Sequence, residues 1–175
     1  MAGLVPAIHA DERFSVGIIC RRIQPQGNNI MDAQLEALVT LYLTRGGKVF
    51  ISPQYDIPYS ESEKDGGACP DIVALDMEKR ELVFVEVSSA ANLGDLYKKI
   101  RERQARWYAP IQRRLEADKI LEGGWKPRFL GFIRRDLVKG AKGKFSEAED
   151  VCFFPLEEAA FSFAYWTERE KGLPR

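Results

Sequence analysis

The stretch Cys69-Pro70-Asp71-Ile72-Val73-Ala74-Leu75-Asp76 decides the fold of this chain, together with Glu81-Leu82-Val83-Phe84-Val85-Glu86-Val87-Ser88, which follows it closely. Both are short apolar runs rich in β-branched residues, and the charged segment 77–80 between them predicts the turn of a hairpin. Asp71 and Glu86 are carboxylates beside or within these runs. Because burying an unpaired carboxylate is costly, such an acid indicates either an exposed strand position or a charge matched by a cation. The two strands therefore predict a metal site.

The elements around this hairpin predict an α/β fold with the order α-β-β-β-α-β. In chain order they are a helix from Met31 to the breaker Gly46-Gly47, a strand over 48–52, the hairpin, a long helix over 93–112 with a kink at Pro110, a strand over 128–133, a basic loop over 140–144, a strand over 151–154 and a closing helix over 155–171. We therefore predict one domain over 31–175. Residues 1–30 are predicted to form a peripheral N-terminal extension.

Length and composition limit the class of protein. The chain has 175 residues, of which 45% are apolar and 30% charged, as is ordinary for a single globular domain. It contains no run of about 18 apolar residues that would predict a membrane span. The first residues lack the basic start of a secretory signal, which favours a cytoplasmic location. Three widely spaced cysteines without a CxxC pair argue against a disulfide framework or a zinc site.

The single histidine, His9, lies in the unpatterned N-terminal segment. Serine and cysteine triads and most catalytic zinc sites require an imidazole in a folded pocket. Any catalysis is therefore expected to depend on carboxylates, on Lys, Arg or Tyr, or on a hard metal ion.

The charge is balanced overall but segregated along the chain. The net charge is zero, yet residues 98–144 contain 15 Lys and Arg against 5 Asp and Glu, a net charge of +10. Such asymmetry is typical of a surface that follows a phosphate backbone. A solvated helix followed by basic loops would account for the same pattern.

The hairpin resembles the signature of the PD-(D/E)XK nuclease superfamily. Pro70-Asp71 and Glu86-Val87 match that signature, and Ser88 stands where the family has Lys. The resemblance implies a restriction-endonuclease-like αβββαβ core, a mixed central sheet flanked by helices, here with an extra C-terminal strand and helix. It also implies that Asp71, Glu86 and the Val87 carbonyl hold Mg²⁺ or Mn²⁺ and that the reaction is phosphodiester hydrolysis in nucleic acid, with DNA as the expected substrate.

The long helix contains a second motif, because Gln104 to Tyr108 resembles the QxxxY element of an exonuclease-like branch of the superfamily. On a continuous helix, Gln104 falls in the middle of the apolar face. The same projection places Arg101 at the edge of that face, Lys98 further out and Lys99 outward. Arg101, and then Lys98, are therefore the candidates for the cation that Ser88 does not supply. The expected nucleic-acid-binding residues are Lys98, Lys99, Arg101 and Tyr108.

Glu36 is the third candidate metal ligand. It lies at the edge of the apolar stripe of the first helix, where many superfamily members place a Glu. An ordinary solvent-facing Glu is the alternative interpretation.

Two functional hypotheses follow. The first is a metal-dependent nuclease in DNA repair, restriction or defence, with a replacement for the motif Lys. The second is a degenerate nuclease fold that binds nucleic acid or a protein partner without catalysis. The aromatic closing helix is compatible with a homodimer interface, although packing in the core is the alternative use of those residues.

Overall fold

The computed structural model describes residues 29–55 and 69–161. Its elements in chain order are α1 (Asn29–Thr44), β1 (Val49–Pro53), β2 (Ile72–Asp76), β3 (Glu81–Ser88), α2 (Gly94–Arg101), a π-helical turn (Gln104–Tyr108), α3 (Ala109–Ala117), β4 (Lys126–Ile133), α4 (Arg135–Lys144), β5 (Val151–Pro155) and α5 (Leu156–Phe161). Most of the predicted N-terminal extension and the predicted closing helix beyond residue 161 lie outside the described residues.

The five strands form one mixed sheet in the order β1-β2-β3-β4-β5. Strands β1 to β3 are antiparallel neighbours, whereas β4 and β5 add in parallel after β3. The predicted hairpin is confirmed, with a turn over residues 77–80 between β2 and β3. The α/β class with a mixed sheet flanked by helices is confirmed as well.

Each face of the sheet packs against its own set of helices. Alternate residues such as Val83 and Val85 form a cluster with α1 and the start of α5, because side chains alternate across a strand. Leu82 and Phe84 belong to the cluster on the other face, which includes residues of α2, α3 and α4. Glu86 follows Phe84 by two positions and therefore faces the side of α2.

The predicted long helix is divided into α2, the π turn and α3. Leu96 and Ile100 are the buried residues within α2, and Trp107 and Tyr108 are buried in the π turn. A π turn adds a residue to one helical turn, so the face that points to the core changes across it. Pro110 follows closely after the π turn, in the first turn of α3, where it has no N–H to donate to the preceding turn.

The prediction of a basic loop over 140–144 was wrong, because these residues form the second half of α4. Leu137, Val138 and Ala141 recur at helical spacing and pack against the cluster on the α2 side. This tertiary contact overrides the poor helix propensity of Gly140 and Gly143. In the part of the chain that the structure describes, no helix is long and apolar enough to cross a membrane.

Candidate active site

Strand pairing brings Asp71 next to Glu86. Ile72 pairs with Val85 across β2 and β3, so the residue before Ile72 lies opposite the residue after Val85. Asp71 Oδ2 accepts a hydrogen bond of 2.7 Å from the backbone N–H of Val87, which holds this carboxylate over the end of β3. Directly opposed residues of antiparallel strands have Cβ atoms about 5 Å apart. Two acids at this spacing are near enough to share a ligand.

Glu86 is a buried carboxylate with one engaged oxygen. The residue is 4% exposed. Its Oε2 lies 2.5 Å from Lys99 Nζ, and its Oε1 is buried without a hydrogen-bond partner among the described residues. Burial and the charge of Asp71 raise the pKa of Glu86 to about 7, although the Lys99 ammonium opposes this. Glu86 therefore exchanges a proton near neutral pH.

Lys99 is the cation of the site, in place of the predicted Arg101 and Lys98. Its side chain is 27% exposed and extends from α2 to Glu86, with Nζ also 5.8 Å from the centre of the Trp107 ring. Arg101 and Lys98 are exposed, and neither forms an ion pair with a residue that the structure describes. The predicted outward orientation of Lys99 was therefore wrong.

The helix phase explains this error. The projection treated residues 93–112 as one regular helix centred on Gln104, whereas the π turn begins at Gln104. Measured from the midpoint between the buried Leu96 and Ile100 of α2, Lys99 lies about 80° away, at the border of the buried face. Arg101 lies about 120° away on the same scale, further toward the solvent side.

The predicted QxxxY element does not form part of the site. Gln104 is exposed, so its predicted place in the apolar face was wrong for the same reason of phase. Tyr108 is 2% exposed, and its ring packs 4.9 Å from that of Phe84. This burial removes Tyr108 from the predicted nucleic-acid-binding surface.

Tyr108 instead belongs to a network that joins the π turn to β5. Its hydroxyl donates to Asp150 at 2.9 Å, and Arg103 donates to both oxygens of the same carboxylate at 2.6 Å. Burial and the Asp150 charge raise the pKa of Tyr108. Partial burial acts against ionisation of Asp150, but the hydrogen bonds from Arg103 and Tyr108 keep the pKa of Asp150 below its ordinary value. The network joins the segment that follows α2 to the residue before β5.

The third predicted metal ligand, Glu36, is not brought to the carboxylate pair as a third ligand. Glu36 is half-buried on α1, which packs on the opposite face of the sheet from Phe84. Within residues 29–55 and 69–161, no group of three or more His, Cys, Asp or Glu side chains is placed to hold a metal ion. Another acid of α1, Asp32, accepts a 3.2 Å hydrogen bond from Ser89 just after β3. Only its position in the first turn of a helix could have indicated such a role.

Ser88 and Gly131 complete the surroundings of Glu86. Ser88 lies two positions further along β3 on the same face, and its Oγ accepts a long 3.4 Å contact from the N–H of Ala90. Gly131 pairs with Glu86 in the neighbouring strand. A Cβ at Gly131 would lie 2.9 Å from the Phe153 ring, so glycine lets this ring pack beside the site.

The donor set suits a hard divalent cation. Magnesium is commonly bound through one or two carboxylates and retains several waters, so it does not require three protein acids. Asp71 and Glu86 supply two carboxylates, and the buried Oε1 is an oxygen that lacks a described partner. The residues present therefore fit Mg²⁺ or Mn²⁺.

Comparisons of this chain with models of known families, with curated proteins and with solved structures found no match. The functional interpretation consequently depends on the site itself.

Proposed function

We propose that this chain is a metal-dependent nuclease that hydrolyses phosphodiester bonds, with DNA as the preferred substrate and a role in repair, restriction or defence. The single observation that carries the proposal is the contact of Lys99 with Glu86, beside Asp71. In the PD-(D/E)XK pattern that the sequence resembles, two carboxylates and a Lys meet at the end of a hairpin. Here the Lys would come from the following helix instead of the strand position of Ser88.

Asp71 and Glu86 would hold the metal ion, together with the carbonyl of Val87. Glu86 supports this assignment because its two oxygens have different surroundings. Oε2 is engaged by Lys99, whereas the buried Oε1 has no partner among the described residues. Such a carboxylate can keep its ion pair and still offer an oxygen to a cation.

When bound, Mg²⁺ or Mn²⁺ would lower the pKa of a coordinated water and offset charge on the phosphate. Lys99 has two tasks in this proposal. In the resting site its ammonium favours the ionised form of Glu86, which a metal ligand requires. Toward the substrate, the same ammonium would stabilise the charge that develops on the phosphodiester oxygens. The burial of Glu86 would strengthen both effects.

The second candidate function is binding without catalysis. The uncharged Ser88 and the absence of a third clustered acid among the described residues favour it. In this case the fold would bind nucleic acid or a protein partner, and the carboxylate pair would be a remnant.

Cleavage assays of the purified full chain separate the two functions. Labelled single- and double-stranded DNA and RNA are incubated with Mg²⁺, with Mn²⁺ or with a chelator, using the wild type, Asp71→Asn and Glu86→Gln. The nuclease proposal predicts metal-dependent cleavage by the wild type and loss of both cleavage and metal uptake in each variant. Binding of nucleic acid that is unaffected by either variant, with no cleavage under any condition, would favour the binding module.

A further inference from the structure

Helix α4 contains two glycines among basic residues. Its second half reads Lys139-Gly140-Ala141-Lys142-Gly143-Lys144. Glycine is the least favourable residue after proline in a helix interior, because it loses the most backbone entropy on ordering. Two glycines in a helix of ten residues therefore weaken it considerably.

Packing does not account for these glycines. A Cβ added at Gly140 or at Gly143 would meet no described atom within 4 Å, and neither backbone has the positive φ that disfavours other residues. Alanine would therefore fit at both positions and stabilise the helix. Glycine at these exposed positions leaves the helix backbone uncovered, so a ligand chain can approach it closely.

The charges of α4 lie on its outward side. Leu137, Val138 and Ala141 point toward the core, so Lys139 and Lys142 lie on the outward face, within about 60° of each other. Both are exposed, and neither forms an ion pair with a described residue. The neighbouring Arg135 is different, because it pairs with Glu158 at 3.1 Å.

The surface is connected with the helix that carries Lys99. Lys144 at the end of α4 lies over the ring of Tyr97 in α2, at 4.7 Å from its centre. Helix α4 also begins directly after β4, whose last residue Ile133 pairs with Ser88. Helix α4 therefore begins near the end of the sheet where β3 ends, and its basic second half finishes at the contact of Lys144 with α2.

We propose that the outward face of α4 binds the phosphodiester backbone of a nucleic acid. The inference deepens the proposed nuclease function, on which it rests, by assigning the surface that holds the strand. Lys139 and Lys142 would neutralise phosphates and release their counterions. Gly140 and Gly143 would leave the helix without side chains at the contact, so that the sugar-phosphate chain reaches the helix backbone. No base edge is read in this arrangement, so the binding is independent of sequence.

The test is fluorescence anisotropy of the full chain in chelator, where nothing is cleaved, across a range of salt concentrations. The probes are fluorescein-labelled single-stranded DNA, duplex DNA and RNA of equal length. The double variant Lys139→Ala/Lys142→Ala should weaken binding of the preferred probe about tenfold or more and reduce the slope of log K against log salt by about 2. The control Arg113→Ala/Lys126→Ala removes the same charge from exposed positions elsewhere and should leave the slope unchanged.

The double variant Gly140→Ala/Gly143→Ala provides an independent test. We expect a higher thermal midpoint together with binding weakened at least several-fold, a combination that a purely structural role would not produce. Binding by either α4 variant that equals the wild type, or a slope reduced equally in the control, would overturn the inference. The nuclease proposal is judged separately by metal uptake and cleavage, so α4-dependent binding without either would refute that proposal alone.

Discussion

Replacing Lys99 by Met tests the ion pair at the centre of the site. Met keeps most of the length and apolar stem of Lys but removes the ammonium that lies 2.5 Å from Glu86. Glu86 is deeply buried, so it cannot exchange this partner for bulk water. We expect the free energy of ionising Glu86 to rise and the affinity for metal at neutral pH to fall.

The magnitude follows from the pKa of Glu86. An opposite charge within about 4–6 Å lowers a carboxyl pKa by roughly 1–3 units. The pKa of Glu86 is about 7 with Lys99 in place, and loss of Lys99 should raise this pKa further. With a rise of about 1–2 units, the ionised fraction at pH 7 falls from about one half to between about one tenth and one hundredth. Because metal binds the ionised carboxylate, the apparent affinity for Mg²⁺ should fall about 5- to 50-fold.

The assay is isothermal titration with Mg²⁺ from pH 6 to 9. For the wild type, affinity should rise with pH through about 7 and level off about one to two pH units higher, where Glu86 is almost fully ionised. For Lys99→Met the same rise should be displaced to higher pH, and the two curves should meet at the alkaline end. Lys98→Met is the matched control, because it removes the same charge from the exposed neighbouring position and should follow the wild type.

Two results would refute this reasoning. The first is a Lys99→Met curve that coincides with that of the wild type, which would mean that Lys99 does not control the ionisation of Glu86. The second is an equal displacement in Lys98→Met, which would show that only the general positive charge of α2 matters.

Three further predictions concern stability, each measured by urea unfolding. The pKa of Glu86 is raised from 4.5 to about 7 in the folded state, so folding takes up a proton between these pH values and the wild type loses stability as pH rises through them. The free energy of unfolding of Glu86→Gln should therefore increase relative to that of the wild type, by up to about 3 kcal/mol above pH 7. A difference between the two proteins that does not depend on pH would contradict this. Tyr108→Phe should cost about 2 kcal/mol through the lost hydrogen bond to Asp150, and an unchanged midpoint would show that this bond contributes nothing. Gly131→Ala should cost about 1–3 kcal/mol because the new methyl group meets Phe153, and full stability would mean that the ring relaxes freely.

The sheet is the part of the fold that the sequence predicts well. Strands β2 and β3 are continuous apolar runs of β-branched residues, separated by a charged turn, and such runs are typical of strands buried on both faces. The strands predicted over 48–52, 128–133 and 151–154 differ from β1, β4 and β5 only at their ends. The hydrophobic pattern of a strand can be read from neighbouring residues alone, so its prediction does not require knowledge of tertiary contacts.

The helices were harder to predict because their details depend on tertiary contacts. The two glycines of α4 indicated a loop, and only the packing of Leu137, Val138 and Ala141 against the sheet makes this segment helical. The π turn leaves no clear mark in the sequence, yet it changes which residues face the core on either side. An error of this kind misplaces every side chain whose orientation is projected across the turn.

In the candidate site, too, the residues on or next to strands could be predicted from local pattern, whereas those on helices could not. Asp71 and Glu86 could be identified because a carboxylate in a buried strand is costly and therefore informative. Lys99 was misplaced by the projection through the π turn, although the buried residues Leu96 and Ile100 of α2 alone would have placed it at the edge of the buried face. Asp32 was missed because its contact with Ser89 joins two distant parts of the chain.

The most direct test of the central claim is rescue of cleavage by moving the cation. If Lys99 supplies the charge that the family pattern places at Ser88, Lys99→Met should lower metal-dependent cleavage by about 10²–10³-fold even where Mg²⁺ saturates the site. The double variant Lys99→Met/Ser88→Lys should then recover much of the lost rate, since Ser88 lies on the same strand face as Glu86. Cleavage by Lys99→Met at the wild-type rate, or a double variant no more active than Lys99→Met, would contradict the account.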